Sequence, residues 1–173
     1  DMDEALKLAD KIAIMKDGEV LQLDSPENIL RNPANEFVEY FIGKDRLLKR
    51  PEYIKVKDIM IKEPVTIRPE RTLTQALEKM RLHKVDSLMV VDESGNFIGI
   101  ATSNDILENF GSGGTVIEIT RKEFNHVNED ANVNQVLSIM AQEQVGYMPV
   151  IDDDKHLLGL VTRSSLVNVL GRS

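Results

Sequence analysis

The sequence predicts an α+β fold built from a duplicated unit, and three observations carry that expectation. Residues 85–107, VDSLMVVDESGNFIGIATSNDIL, read as strand, turn, strand and helix start. Apolar runs flank the DESGN turn cluster, and Thr102 or Ser103 stands where a helix cap belongs. The same stretch returns sixty positions later, without a gap, as VGYMPVIDDDKHLLGLVTRSSLV over residues 145–167. The match runs back to Val56 and Val116 and includes Ile59/Ile119, Gln75/Gln135, Met80/Met140, Val90/Val150, Gly99/Gly159 and Thr102/Thr162. Two copies are too few for a solenoid, so they are expected to pack on each other about a pseudo-two-fold axis.

In chain order, residues 3–10 put Leu6, Ala9 and, beyond them, Ile12 on one helical face, and residues 11–15 are a short apolar strand. Asp17 and Gly18 make a hairpin turn to a second strand at residues 20–23. Ser25, Pro26 and Glu27 start a helix as cap, first-turn proline and first-turn acid. Asn32-Pro33 breaks it, and residues 36–42 form another helix stopped at Gly43. Residues 44–51 are a charged connector whose Pro51 ends any helix. In the first copy Thr66-Ile67 is a short strand, Pro69 a turn, and Thr72 with Gln75 a capping box. Ala76, Leu77, Met80 and Val85 form its buried face, and residues 106–110 its last helix. Glycines 111, 113 and 114 join the copies, and Asn132 with Gln135 repeats the capping box.

The chain has 173 residues, 42% of them hydrophobic, enough for one or two compact domains. It has no cysteine, hence no disulfide framework or thiolate metal site. No apolar run approaches the ~20 residues of a membrane helix, and a net charge of −8 argues against a surface that tracks nucleic-acid phosphates. A first residue of Asp rather than Met leads us to expect a piece of a longer subunit. Asp152-Asp153-Asp154 lacks the glycine and distal glutamate of a calcium loop, and His83, His126 and His156 are scattered, so no metal is expected. No serine has a local base, and no catalytic residue is expected.

The order strand, helix, strand, turn, strand ending in G-h-x-[ST]-x-x-D, helix resembles the cystathionine-β-synthase (CBS) domain, twice over, across about residues 56–170. The first copy carries Gly99, Thr102 and Asp105; the second keeps Gly159 and Thr162 but has Ser165 in place of the acid. Residues 1–43 resemble the end of an ABC transporter ATP-binding subunit. The run Asn-Pro-Ala-Asn-x-Phe-Val over residues 32–38, followed by Phe41-Ile42-Gly43, resembles the osmoprotectant branch that takes up glycine betaine, carnitine or choline. The resemblance implies an ATPase remnant over residues 1–43, a linker over 44–55, and tandem CBS domains, each β-α-β-β-α, over 56–111 and 112–173. It further implies a homodimer working with permease subunits. That assembly lies in the cytoplasm, peripheral at the inner face of the membrane, with no span of its own.

The implied role is ligand sensing, with an adenine nucleotide shifting the active population of the transporter. Cyclic di-AMP is the first expectation, AMP or ATP the alternative, and a ligand-free module for ionic-strength sensing or dimerisation a third. No cofactor is required. For cyclic di-AMP the expected residues are Tyr147, Arg163, Val85, Ser87, Leu160 and Thr162; for the alternative adenosine site they are Thr66, Ile67, Thr102 and Asp105. Each has a plainer reading. Tyr147 fits a core rim as well as an adenine stack, and Arg163 fits solvent as well as a phosphate. Thr102 and Thr162 fit simple caps, and Asp105 a first-turn acid.

The chain contains no Gly-rich P-loop with Lys-Ser/Thr, no transporter signature and no Walker B strand. ATP added to it is therefore expected to hydrolyse no faster than in buffer; turnover of even ~1 s⁻¹ in a phosphate-release assay would contradict this reading.

Overall fold

The computed structural model describes residues 1–171, so the end of the second copy's expected span lies outside them. The chain divides into two compact units, Asp1–Ile54 and Lys55–Asn168, with a few C-terminal residues grouped with the first.

In the first unit, α1 (Met2–Leu8) is capped by the Asp1 carboxylate, which accepts from the Asp3 amide. Ile12, expected on this helix's face, instead opens β1 (Ile12–Lys16), which pairs antiparallel with β2 (Glu19–Asp24). Asp17 and Gly18 turn the hairpin, both at positive φ (51° and 85°), the conformation that matches the twist of flanking strands. Ser25 caps α2 (Pro26–Arg31), Asn35 caps α3 (Glu36–Ile42), and Gly43 ends it. Leu6, Ile12, Ile14, Ile29, Val38 and Ile42 form the core. The expected free connector is built into this unit: Arg46 pairs with Asp3 at 2.8 Å, and Arg50 donates to the Asp3 carbonyl at 3.0 Å. Pro51 starts a 3-10 turn rather than ending a helix.

The second unit holds the two copies. The first comprises α4 (Val56–Ile59), β3 (Thr66–Ile67), α5 (Leu73–His83), β4 (Ser87–Val91), β5 (Phe97–Thr102) and α6 (Ser103–Glu108). The second comprises α7 (Val116–Ile119), α8 (Val133–Glu143), β6 (Tyr147–Ile151), β7 (Leu157–Thr162) and α9 (Arg163–Leu170). The last helix of the first copy starts at Ser103, not residue 106, because Thr102 caps it. In the second copy the counterpart of β3 shrinks to one parallel bridge between Val127 and Val150. The sheets are β3-β4-β5 and β6-β7, each with an antiparallel hairpin.

Both copies open on a short helix, and each helix docks on the other copy. The Val56 amide donates to the Ala131 carbonyl and Lys57 to Glu129, while Val116 donates to Arg71 and Ile117 to Pro69. Val116 is accordingly buried in the core of the first copy, beside Ile67, Ala76, Met80, Leu88 and Ile106. Just after each helix the exchange becomes a backbone bridge. Ile61 and Leu160 trade hydrogen bonds at 2.8 and 3.0 Å, as Arg121 and Ile100 do at 2.8 and 3.1 Å. Met89, Phe97, Ile100, Ile151 and Leu160 fill the space between the sheets.

The repeated glycine of each copy makes these bridges possible. A Cβ on Gly99 would run into the carbonyl of Arg121, and one on Gly159 would come within 2.8 Å of the carbonyl of Ile61. Gly99→Ala and Gly159→Ala are each expected to destabilise the chain by about 1–3 kcal/mol, the usual cost of overpacking. Urea unfolding checks this, and parent-like midpoints for both variants would contradict it.

Candidate functional site

Each bridge floors a cleft. The first, of 780 Å³, has the Ile61–Leu160 pair at its base, within the range of small-molecule sites. One wall comes from the first copy, with Glu63, Pro64, Val85 and Ser87. The other comes from the second, with Gly146, Tyr147, Thr162 and Arg163. All six residues expected for cyclic di-AMP therefore line one cleft. The second cleft, of 140 Å³, lies over the Ile100–Arg121 bridge and includes Glu123, Phe124, Asn125, Val145 and Tyr147. These positions are those of the first cleft carried through the sixty-residue repeat. Tyr147 lines both.

Local structure fixes each wall. Helices α5 and α8 end on Lys84 and Gln144 in the left-handed conformation (φ 55° and 54°), which turns Val85 and Val145 inward. The Val85 amide donates to Met80 and that of Val145 to Met140, both at 3.1 Å. Tyr147 pairs with Thr162 across the β6-β7 hairpin, as Ser87 pairs with Thr102 in β4-β5. Burial pushes the Tyr147 phenol up, against the opposing charge of Arg121.

Arg163 occupies the first turn of α9, and its amide donates to the Gly146 carbonyl at 3.2 Å. Its guanidinium lies over Gly146, where a Cβ would stand 3.7 Å from Cζ. The first copy has Asp86 at the position of Gly146. Arg163 is exposed and makes no ion pair among the described residues. Thr162 Oγ1 accepts from the Ser165 amide at 3.0 Å, and Ser165 Oγ accepts from the Thr162 amide at 2.8 Å. This reciprocal cap survives the loss of the acid.

The alternative adenosine set does not share one lining. Thr66 and Ile67 border a 280 Å³ recess with Arg68, Arg71, Gln75 and Lys79. Asp105 is instead gripped by Arg121, a lining residue of the second cleft, in a fork, Nε to Oδ2 and Nη2 to Oδ1, both 2.8 Å. Thr102 Oγ1 donates to the same carboxylate at 2.6 Å. The Asp105 side chain is only 17% exposed. Burial pushes its carboxyl up, but the hydrogen bonds from Arg121 and Thr102 and the guanidinium charge outweigh that and hold it below the ordinary value. The expected Asp105 carboxylate is thus already engaged.

Sequence reasoning missed Arg121, Phe124, Lys84, Glu63 and Ile61. The repeat held the signal: Arg121 aligns with Ile61 and Phe124 with Pro64, departures as strong as Tyr147 and Arg163. It also scattered the histidines, whereas the β6-β7 turn gathers Asp152, Asp154 and His156, with ligand-type atoms within 4.8 Å. These are turn contacts: the Asp152 carboxylate accepts the His156 amide at 2.8 Å, and that bond, foremost, lowers its pKa. In the first copy Asp92 accepts from the side chain and the amide of Asn96, and the side-chain bond, foremost, holds its carboxyl low. Among the described residues no helix is long and apolar enough to cross a membrane.

Comparison with known proteins follows the same division. The CBS-domain family model matches residues 56–112 and again 116–172. The carnitine transport ATP-binding protein OpuCA of Listeria monocytogenes is 44% identical over 98% of this chain and 43% of its own length. The glycine betaine/carnitine/choline transport ATP-binding protein OpuCA of Bacillus subtilis is 43% identical over 98% of the chain and 45% of its own length. The chain thus spans less than half the length of these relatives. Among solved structures, Staphylococcus aureus OpuCA superposes with a TM-score of 0.60 at 28% identity, covering 66% of this chain and 97% of that one. The CBS domain pair of protein MJ0100, in complex with 5′-methylthioadenosine and S-adenosyl-L-methionine, superposes with a TM-score of 0.63 at 30% identity, covering 69% and 97%. On this evidence the chain belongs to the CBS-domain family as a tandem pair, and it is similar along its whole length to osmoprotectant transport ATP-binding proteins.

Proposed function

We propose that this chain is the regulatory part of an ATPase subunit for quaternary-amine uptake, and that its first cleft receives an adenine nucleotide messenger, cyclic di-AMP above others. One observation carries the reading: the open cleft sets a half-buried aromatic ring, Tyr147, beside an exposed guanidinium, Arg163, that makes no ion pair among the described residues. A ring and a guanidinium are what a purine base and a phosphate require. The adenosine derivatives bound to the MJ0100 pair support the ligand class. Cyclic di-AMP has two identical halves, and a homodimer offers the same residues twice about its two-fold axis. Two contacts from Arg163, at about 1.5–3 kcal/mol each, supply a large share of the ~8 kcal/mol of micromolar affinity. The whole subunit then works with permease partners, and the ligand acts by favouring one of two states of the assembly.

AMP or ATP at Asp105 requires the carboxylate to leave Arg121. A carboxylate held low in the folded chain stabilises it above the unfolded pKa, and that stabilisation fades as pH falls from there through the folded value. Asp105→Asn is therefore expected to melt below the parent near neutral pH, with the gap closing below about pH 4. A gap that stayed constant from about pH 6 to pH 3 in a thermal melt would contradict the strength assigned to the pair.

Arg163→Ala and Tyr147→Ala are each expected to weaken cyclic di-AMP binding at least about tenfold, or 1.4 kcal/mol, while the parent binds one ligand per two chains. Calorimetry reads both quantities. One ligand per chain together with parent-like affinity for Arg163→Ala would contradict the proposal.

A further inference from the structure

The repeat maps one cleft onto the other, and four differences explain why one is open and the other nearly shut. Ile61, Pro64 and Ser87 of the open cleft correspond to Arg121, Phe124 and Tyr147 of the closed one, and Ser165 corresponds to Asp105, the acid that Arg121 grips. Three of the exchanges add bulk, and the fourth adds the carboxylate on which Arg121 closes. The backbone of Arg121 is held separately, by its two hydrogen bonds with Ile100. Phe124 is held by Phe97, edge to face at 4.7 Å between centroids. Of the groups that fill the cleft, the Arg121 side chain is therefore the one held there by the Asp105 carboxylate, and the bridge beneath does not depend on it. The positive charge of Arg121 also lies close enough to Tyr147 to act on its phenol, and Tyr147 is a wall of both clefts.

We propose that Arg121, forked on Asp105, is the specificity-determining residue that closes the second cleft and limits each chain to one ligand site. The inference rests on reading the clefts as ligand sites, but not on cyclic di-AMP as the ligand. With Arg121 removed, Asp105 offers two carboxylate oxygens to a vicinal diol, and Ile100 and Val145 offer apolar surface to a planar ring. An uncharged nucleoside fits that chemistry better than a nucleotide, because the cation leaves with Arg121.

The test is calorimetric titration of the 173-residue chain with adenosine, comparing the parent, Arg121→Ile and the double variant Arg121→Ile/Asp105→Ala. Arg121→Ile restores the residue of the first copy. It is expected to bind one more adenosine per chain than the parent, at least tenfold tighter than any binding the parent shows at this cleft. The double variant is expected to lose that gain. An Arg121→Ile variant with no added binding, or a double variant that keeps it, would overturn the proposal. Should Arg121→Ile fail to fold by thermal melt, Arg121→Gln keeps most of the side-chain length without the charge. It is expected to show a smaller gain, and no gain there would overturn the proposal equally. Cyclic di-AMP titrated into the same parent separates the two readings, since its failure to bind would sink the messenger while leaving the adenosine comparison intact.

Discussion

The exchange of backbone between the two copies is the constraint on which the rest of the second unit depends. Two bridges, Ile61 with Leu160 and Arg121 with Ile100, stitch each copy's opening segment to the other copy's last strand. Each bridge needs a glycine beside it, because the incoming carbonyl sits where a Cβ would be. Four bridge hydrogen bonds, at about 0.5–1.5 kcal/mol net apiece, are modest as a sum. Their larger effect is positional. They fix where the first-copy wall of each cleft stands against the second-copy wall, and so they set the shape of both clefts at once.

Duplication gives two clefts on one plan, and substitution has driven them apart. Arg163 lies across Gly146 at the first cleft, which stays open. Arginine at 121 and phenylalanine at 124 fill the second, and the acid that ends the G-h-x-T-x-x-D run receives a guanidinium. The bidentate hydrogen bonds of this ion pair outweigh the cost of covering its carboxylate. Tyr147 stands on the wall that the two clefts share.

Much of this was legible in the sequence. A gapless offset of sixty residues revealed the repeat, the capping boxes at Thr72 and Asn132 marked the helices, and the departures at Tyr147 and Arg163 pointed to residues that line the open cleft. The misreadings have physical causes. The swap of Val56 and Val116 between copies is invisible to periodicity, because both copies carry the same apolar pattern and either partner satisfies it. Arg121 lies sixteen residues beyond Asp105 and outside the G-h-x-T-x-x-D run, so the pair appears only when the bridge brings them together. Thr66 and Ile67 were grouped with Asp105 because they share a copy, whereas the clefts form between copies. Ile12 matched a helical face by spacing alone, but the chain had already left the helix at Ala9.

Hydrogen exchange of the protein with and without cyclic di-AMP probes the division of the two clefts most directly. The expected result is new protection at residues 61–65, 84–87 and 160–164, with residues 100–105 and 121–125 exchanging as in the free protein. Protection confined to residues 100–105 and 121–125 would contradict it, because the ligand would then have displaced Arg121 from Asp105 and chosen the cleft that the folded chain keeps closed.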